Sequence, residues 1–152
     1  MADEAGVEQS LKLWVVLSRA AAAVAAHSQA DIARHGLTPA EFGVLEALLH
    51  RGPLLLGEVQ RKILVTSGGV TYLVDRLAAK GLVERRRCEE DRRAWYAALT
   101  PDGEALIRDI FPRHAEVIHR AVAGLDEAEK EQTIRLLRTL GRHAAETREG
   151  EG

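Results

Sequence analysis

Over residues 11–35, apolar positions recur at helical spacing, with Leu13, Leu17, Val24 and Ile32 set among small alanines, and Gly36 supplies a stop. The stretch LTPAEFGVLEAL then opens with strong start signals. Thr38 can cap, Pro39 suits the first helical position, and Glu41 stands at capping-box distance from Thr38. Val44, Leu45, Leu48 and Leu49 extend this helix until Arg51-Gly52-Pro53 ends it. Leu54-Leu55-Leu56 is too short for a helix and predicts a minimal strand. A short helix over residues 57–64 follows, burying Val59 and Ile63. Thr66 or Ser67 caps the next segment, which runs to Lys80 and stops at Gly81.

Beyond Gly81 the periodicity changes. LVERRR and AWYAALT read as two strands joined by the polar turn CEEDRR, a β-hairpin. Thr100-Pro101-Asp102-Gly103-Glu104 starts another helix, with Thr100 as cap, Pro101 in first position and Glu104 as capping-box partner. Pro112 falls inside that helix and predicts a kink or a restart. Val117, Ile118 and Val122 continue its apolar face. Gly124-Leu125-Asp126 breaks the chain before a final helix carrying Ile134, Leu136, Leu137 and Leu140, with a frayed tail, REGEG.

The predicted fold is mainly α with a small β-wing. One domain, 1–152, contains a winged helix-turn-helix core over residues 38–100, with dimerisation helices over residues 8–36 and 101–147 at its two ends. The outer helices are too long to bury their apolar faces on so small a core, which implies a second copy of the chain.

Charge sharpens this picture. The net charge is −2, yet residues 51–93 carry ten Arg and Lys against six Asp and Glu, while the rest carries eleven against seventeen. A basic middle between acidic flanks is what a chain needs if only its middle meets a polyanion. With one cysteine, Cys88, no internal disulfide can form, and a reducing cytoplasm is the expected compartment. No apolar run approaches the roughly 20 residues needed to span a bilayer. The acidic start MADEAGVEQS lacks the basic region of a signal peptide.

On the wheel of LVTSGGVTYLVDRL, Val70, Leu73, Val74 and Leu77 share the core face. Gly68, Tyr72 and Asp75 lie opposite, flanked by Thr71 and Arg76. Each glycine costs a helix roughly 1 kcal/mol relative to alanine. At the leading edge of a recognition helix, however, small residues let the backbone approach DNA. Ser67, Gly68, Gly69, Thr71, Tyr72 and Arg76 are therefore expected at bases or phosphates. The hairpin adds Arg85, Arg86 and Arg87 on one strand and Arg92 and Arg93 near its tip. A tip arginine can enter the narrow minor groove. Asp91 is placed to hold the Arg93 guanidinium extended.

DRLAAKGLVERR followed by EDRRAWYAALT resembles the MarR family of bacterial transcription regulators. The family's wing signature stands here as Asp91, Arg93, Leu99 and Thr100. LTPAEFGVLEAL resembles the family's second helix and VTSGGVTYLVDRL its recognition helix, so the likeness covers nearly the whole chain. It implies a homodimer built from the first and last two helices, two winged units on a pseudo-palindromic double-stranded operator, and repression relieved by a small ligand or an oxidant. The family's wing arginine maps onto Arg93. Its recognition-helix aspartate, which pairs with wing arginines, maps onto Asp75.

Ligand sites in this fold class lie between dimerisation helices and winged domain. That points to Trp14, Leu17, Phe42, Leu45, Phe111 and His114 as a pocket for a small aromatic or phenolic effector, although each also serves as ordinary core. The oxidant-sensing cysteine of some relatives, in the first helix, has no counterpart here. Cys88 is expected to be an unreactive surface thiol, with Glu89 and Glu90 opposing its arginine neighbours. Neither His27 with His35 nor His114 with His119 has the i, i+4 spacing of a metal pair, so no metal and no cofactor is expected. An enzyme reading finds no nucleophile motif, phosphate loop or carboxylate tied to a histidine. The remaining alternative is a winged-helix module that contacts only proteins. The basic wing and hydroxyl-rich recognition helix weigh against it.

Overall fold

The computed structural model describes residues 3–63 and 67–150. In order these form α1 (Glu4–Arg34), α2 (Pro39–Arg51), β1 (Leu54–Leu55), α3 (Leu56–Ile63), α4 (Ser67–Ala79), β2 (Val83–Arg87), β3 (Trp95–Leu99), α5 (Pro101–Ala121) and α6 (Glu127–Gly150). The three strands form one antiparallel sheet in the order β1-β3-β2. Leu54 and Leu55 pair with Ala97 and Tyr96, so the minimal strand closes the free edge of the hairpin. Leu56, expected in that strand, instead opens α3. The predicted end of that helix at Leu64 and the alternative cap Thr66 lie outside the described residues.

The core is aliphatic. Val44, Leu45 and Leu48 of α2, Val59 of α3, Val74 and Leu77 of α4, Val83 of β2 and Ile107 and Ile110 of α5 form one buried cluster. The start of α2 follows the sequence closely. Thr38 Oγ1 accepts from the Glu41 amide at 3.1 Å, and Glu41 Oε1 accepts from the Thr38 amide at 3.0 Å. Gly81 ends the α4 segment with φ of +74°, a left-handed conformation that favours glycine, and the Leu82 amide closes back on the Leu77 carbonyl at 2.9 Å.

The start of α5 departs from expectation. Thr100 does cap, but its hydroxyl oxygen accepts from the Gly103 amide at 3.0 Å while donating to the Gly81 carbonyl at 2.6 Å. Gly103 thus occupies the position that a capping-box glutamate needs. Glu104, one residue on, pairs with Arg108 instead. A glycine is required at 103, because an ideal Cβ there would lie 1.9 Å from the Leu82 carbonyl oxygen. Pro112 causes no restart, and α5 is continuous from Pro101 to Ala121. One proline removes a single i to i−4 bond, which the flanking turns can carry.

The chain divides into two compact units, Met1–Ile118 and His119–Gly152. In the second, Asp126 and Glu129 cap α6 reciprocally, at 2.8 and 3.1 Å. α6 extends to Gly150, so residues 148–150 of the tail expected to fray are helical. No helix among the described residues is long and apolar enough to cross a membrane.

Candidate DNA-binding surface

α4 buries Val70, Leu73, Val74 and Leu77, at 8% exposure or less, which turns Thr71, Tyr72, Asp75 and Arg76 to solvent. Ser67, Gly68 and Gly69 form its first turn. Tyr72 is 60% exposed, although a large aromatic side chain in contact with a core would ordinarily be covered. Arg76 Nη1 donates to its hydroxyl at 3.0 Å, and the guanidinium lies 5.7 Å from the ring centroid.

Behind this exposed pair stands Glu41. Its side chain is 1% exposed, and Oε2 receives Lys80 Nζ at 2.8 Å and lies 3.9 Å from Arg76 Nε. Lys80 also donates to the Gly36 carbonyl at 3.3 Å. The Thr38 spacing reveals only the capping role of Glu41. The partner that explains its burial is Lys80, 39 residues away, and no local spacing links the two.

Burial, the largest single influence on Glu41, pushes its pKa up. The hydrogen bond from Lys80, then that from the Thr38 backbone and the Lys80 charge, act oppositely and hold the carboxyl below its ordinary value. Stability from this group is therefore present above the ordinary carboxylate range, about 4.3, and is lost as pH falls through the lower folded value. Unfolding free energy, measured by urea titration between about pH 3 and 5, is expected to fall more steeply with acid in the wild type than in Glu41→Gln. Parallel curves would remove Glu41 as the source of that slope.

The wing is anchored at its base and charged at its tip. Arg85 Nη2 meets Asp75 Oδ1 at 2.7 Å, tying β2 to α4 and supplying the wing partner that the resemblance implied for Asp75. Arg86 is held by Glu84 through Nη2 at 2.6 Å, so a phosphate must compete for it. Arg87, absent from the expected contact set, lies 5.0 Å over the Trp95 ring across the hairpin. Arg92 and Arg93 are exposed in the tip turn, which the Ala94 amide closes on the Asp91 carbonyl at 3.0 Å. Asp91 acts differently from expectation: Oδ1 accepts from the Arg93 backbone amide at 3.0 Å and fixes the turn rather than the guanidinium. Arg93 shares a groove between wing and α3 with Arg61, Glu58 and Trp95.

Cys88 is buried, at 7% exposure, not a surface thiol. Cys88 follows β2 directly, its amide bonded to the Ala94 carbonyl at 3.0 Å, and its Sγ lies 3.9 Å from the Tyr96 hydroxyl. The neighbouring thiol is the main cause of a raised Tyr96 pKa.

The residues expected around an effector separate by burial. Phe42 and Leu45 are core, His114 is buried against the Phe42 ring at 4.5 Å, and Phe111 packs on His50 at 4.8 Å. Leu17 is half-buried, and Trp14 is 65% exposed on α1. The sequence missed a carboxylate tied to a histidine. His114 Nδ1 lies 3.0 Å from Asp31 Oδ2, and Nε2 lies 3.5 Å from Ser28 Oγ, joining α5 to α1 across 83 residues. Among the described residues, no group of three or more His, Cys, Asp or Glu could hold a metal ion.

A helix with a solvent-facing polar edge, followed by a basic two-stranded wing, defines a winged helix-turn-helix DNA-binding protein. The MarR family sequence model matches residues 35–94. The HTH-type transcriptional regulator MhqR of Bacillus subtilis is 43% identical over 137 residues, covering 90% of this chain and 94% of that one. BpsR of Bordetella bronchiseptica, whose DNA binding is regulated by 6-hydroxynicotinic acid, superposes with a TM-score of 0.75 at 31% identity, covering 86% of this chain and 98% of the other. Sco3205 of Streptomyces coelicolor, a MarR family regulator solved in complex with DNA, gives 0.81 at 25% identity, over 90% and 88%. The chain belongs to the MarR family. It is a DNA-binding transcription regulator.

Proposed function

We propose that this regulator is a cytoplasmic homodimeric repressor that reads a pseudo-palindromic operator. The observation that carries the reading is the joint exposure of the α4 edge and of Arg92 and Arg93 at the wing tip. Thr71, Tyr72 and Arg76 face bases in the major groove, with Ser67, Gly68 and Gly69 at the close approach to the backbone. Arg92 and Arg93 reach the minor groove, Arg86 meets phosphate, and Asp75 and Asp91 hold the wing in shape. The winged core is residues 38–100.

Dimerisation through residues 8–36 and 101–147 is supported by apolar side chains that each unit leaves uncovered. On α1 these include Leu11 (60% exposed), Trp14 (65%) and Val16 (58%). On α6 they include Ile134 (51%) and Leu136 (56%). Faces of this kind mark contact with another chain. The effector is a small aromatic or phenolic compound bound near Trp14, Leu17, Phe42, Leu45, Phe111 and His114, a class supported by the aromatic acid that regulates BpsR. The protein acts by occupying DNA, and no catalytic step or metal is part of this reading.

The test is transcription in vitro from the gene's own upstream region. Added protein is expected to lower transcript several-fold, and sedimentation is expected to give twice the chain mass. Unchanged transcript, or a monomer at the active concentration, would contradict the reading.

A further inference from the structure

We infer that Glu41, on α2, is the residue that positions the base-reading side chains of the recognition helix, through a chain of contacts running from Glu41 to Arg76 to Tyr72. The inference rests on the reading of Tyr72 and Arg76 as DNA contacts.

Glu41 buries one more oxygen than a cap uses. A capping box needs one carboxylate oxygen and leaves the other in water. Here Oε1 completes the cap at 3.0 Å, while Oε2 is also buried and faces α4, receiving Lys80 at 2.8 Å with Arg76 Nε at 3.9 Å. A buried carboxylate left without a cation is costly, so Lys80 is required wherever Glu41 is ionised, and Arg76 stands as a second, more distant charge on the same oxygen. The single carboxylate therefore fixes the start of α2 and the C-terminal half of α4 together. Through the Lys80 bond to the Gly36 carbonyl, the turn between α1 and α2 joins the same cluster.

Arg76 carries the constraint outward. Its Nε edge faces Glu41, while Nη1 donates to the Tyr72 hydroxyl at 3.0 Å. Turning the planar guanidinium further toward Glu41 would break the Tyr72 bond, and turning it outward would lengthen the 3.9 Å approach to Glu41. Tyr72, which at 60% exposure would otherwise be a free rotor, is held before DNA arrives. One lone pair of its oxygen is occupied by Arg76, so its own O–H proton is free to be donated. The chemistry it selects is an acceptor: purine N7, guanine O6 or thymine O4 in the major groove. Ordering these side chains in advance removes part of the entropy lost on binding, and removes it only for the site whose acceptor is correctly placed.

Glu41→Gln isolates this role, because glutamine also completes a capping box while losing the charge that draws Lys80 and Arg76. The probe is a duplex selected by the wild-type chain from a random pool, compared with a scrambled duplex of equal composition. Glu41→Gln and Tyr72→Phe are each expected to bind the selected duplex about tenfold more weakly, with affinity for the scrambled duplex unchanged. The double variant is expected to lose less than the product of the two single losses. Wild-type affinity in Glu41→Gln, equal losses on both duplexes, or multiplied losses in the double variant would each overturn the inference. Arg76→Ala separates it from the underlying reading. Full-strength binding by that variant removes both, whereas weakened binding with an unaffected Glu41→Gln removes the positioning role alone. A second measurement needs no variant: the 15N heteronuclear NOE of Arg76 Nε in the wild-type chain is expected to approach that of rigid backbone. A freely mobile Arg76 would overturn the inference regardless of how Glu41→Gln folds.

Discussion

Gly103→Ala is expected to destabilise the chain by about 3 kcal/mol, the range of overpacking at a site that cannot relax. The added Cβ would stand 1.9 Å from the Leu82 carbonyl oxygen and 2.8 Å from its carbon. Both are backbone atoms, so no side chain can swing away. The same carbonyl accepts the Thr100 amide at 3.1 Å, and the Thr100 hydroxyl joins the Gly81 carbonyl to the Gly103 amide. One methyl group therefore strikes the joint where α5 leaves the base of the wing. Urea unfolding of the variant should show a lower midpoint with an unchanged slope. A midpoint equal to wild type would mean that α5 can shift off β2 at little cost. It would also remove the close approach as the reason for glycine there.

Arg93→Ala carries the second large effect, on binding rather than stability. The side chain is exposed at the wing tip, and Asp91 holds the backbone of that turn through the Arg93 amide, a bond that alanine keeps. The hairpin should therefore retain its shape and lose only the guanidinium. Operator affinity is expected to fall about ten- to a hundredfold, the range for loss of a groove-reading arginine. The slope of log affinity against log salt should fall by about one, with the dimer intact. Fluorescence anisotropy across a salt series measures both. Wild-type affinity and slope would take the wing tip off the DNA.

What could be read from sequence, and what could not, follows from how far each interaction reaches along the chain. The cap at Thr38, the stop at Gly81 and the core face of α4 depend on neighbours within a turn or two, and they stand where the periodicity put them. The wing strands were equally visible from their polar turn. Glu104 was misjudged by one residue, because a Thr followed by a Glu looks like a capping box unless the count places Gly103 at the bonding position. Asp31 with His114, and Glu41 with Lys80, join positions 83 and 39 apart, and no local pattern links their members. Cys88 was misread for a related reason. Five of the residues flanking it, Arg86, Arg87, Glu89, Glu90 and Asp91, are charged, yet its own side chain is buried within reach of the Tyr96 hydroxyl. Trp14, placed near the effector site, stands 65% exposed on α1. Periodicity along one helix does not tell whether such a side chain is covered.

The central claim is that two copies of the α4 edge and wing read DNA together. Selection of duplexes from a random pool by the full-length protein, at about 0.15 M salt to suppress non-specific phosphate binding, tests it most directly. Enrichment of a pseudo-palindrome whose half-sites are centred about 10 base pairs apart, one helical turn, is the expected result. A pool that stays random after repeated rounds, or that converges on a single asymmetric half-site, would contradict it.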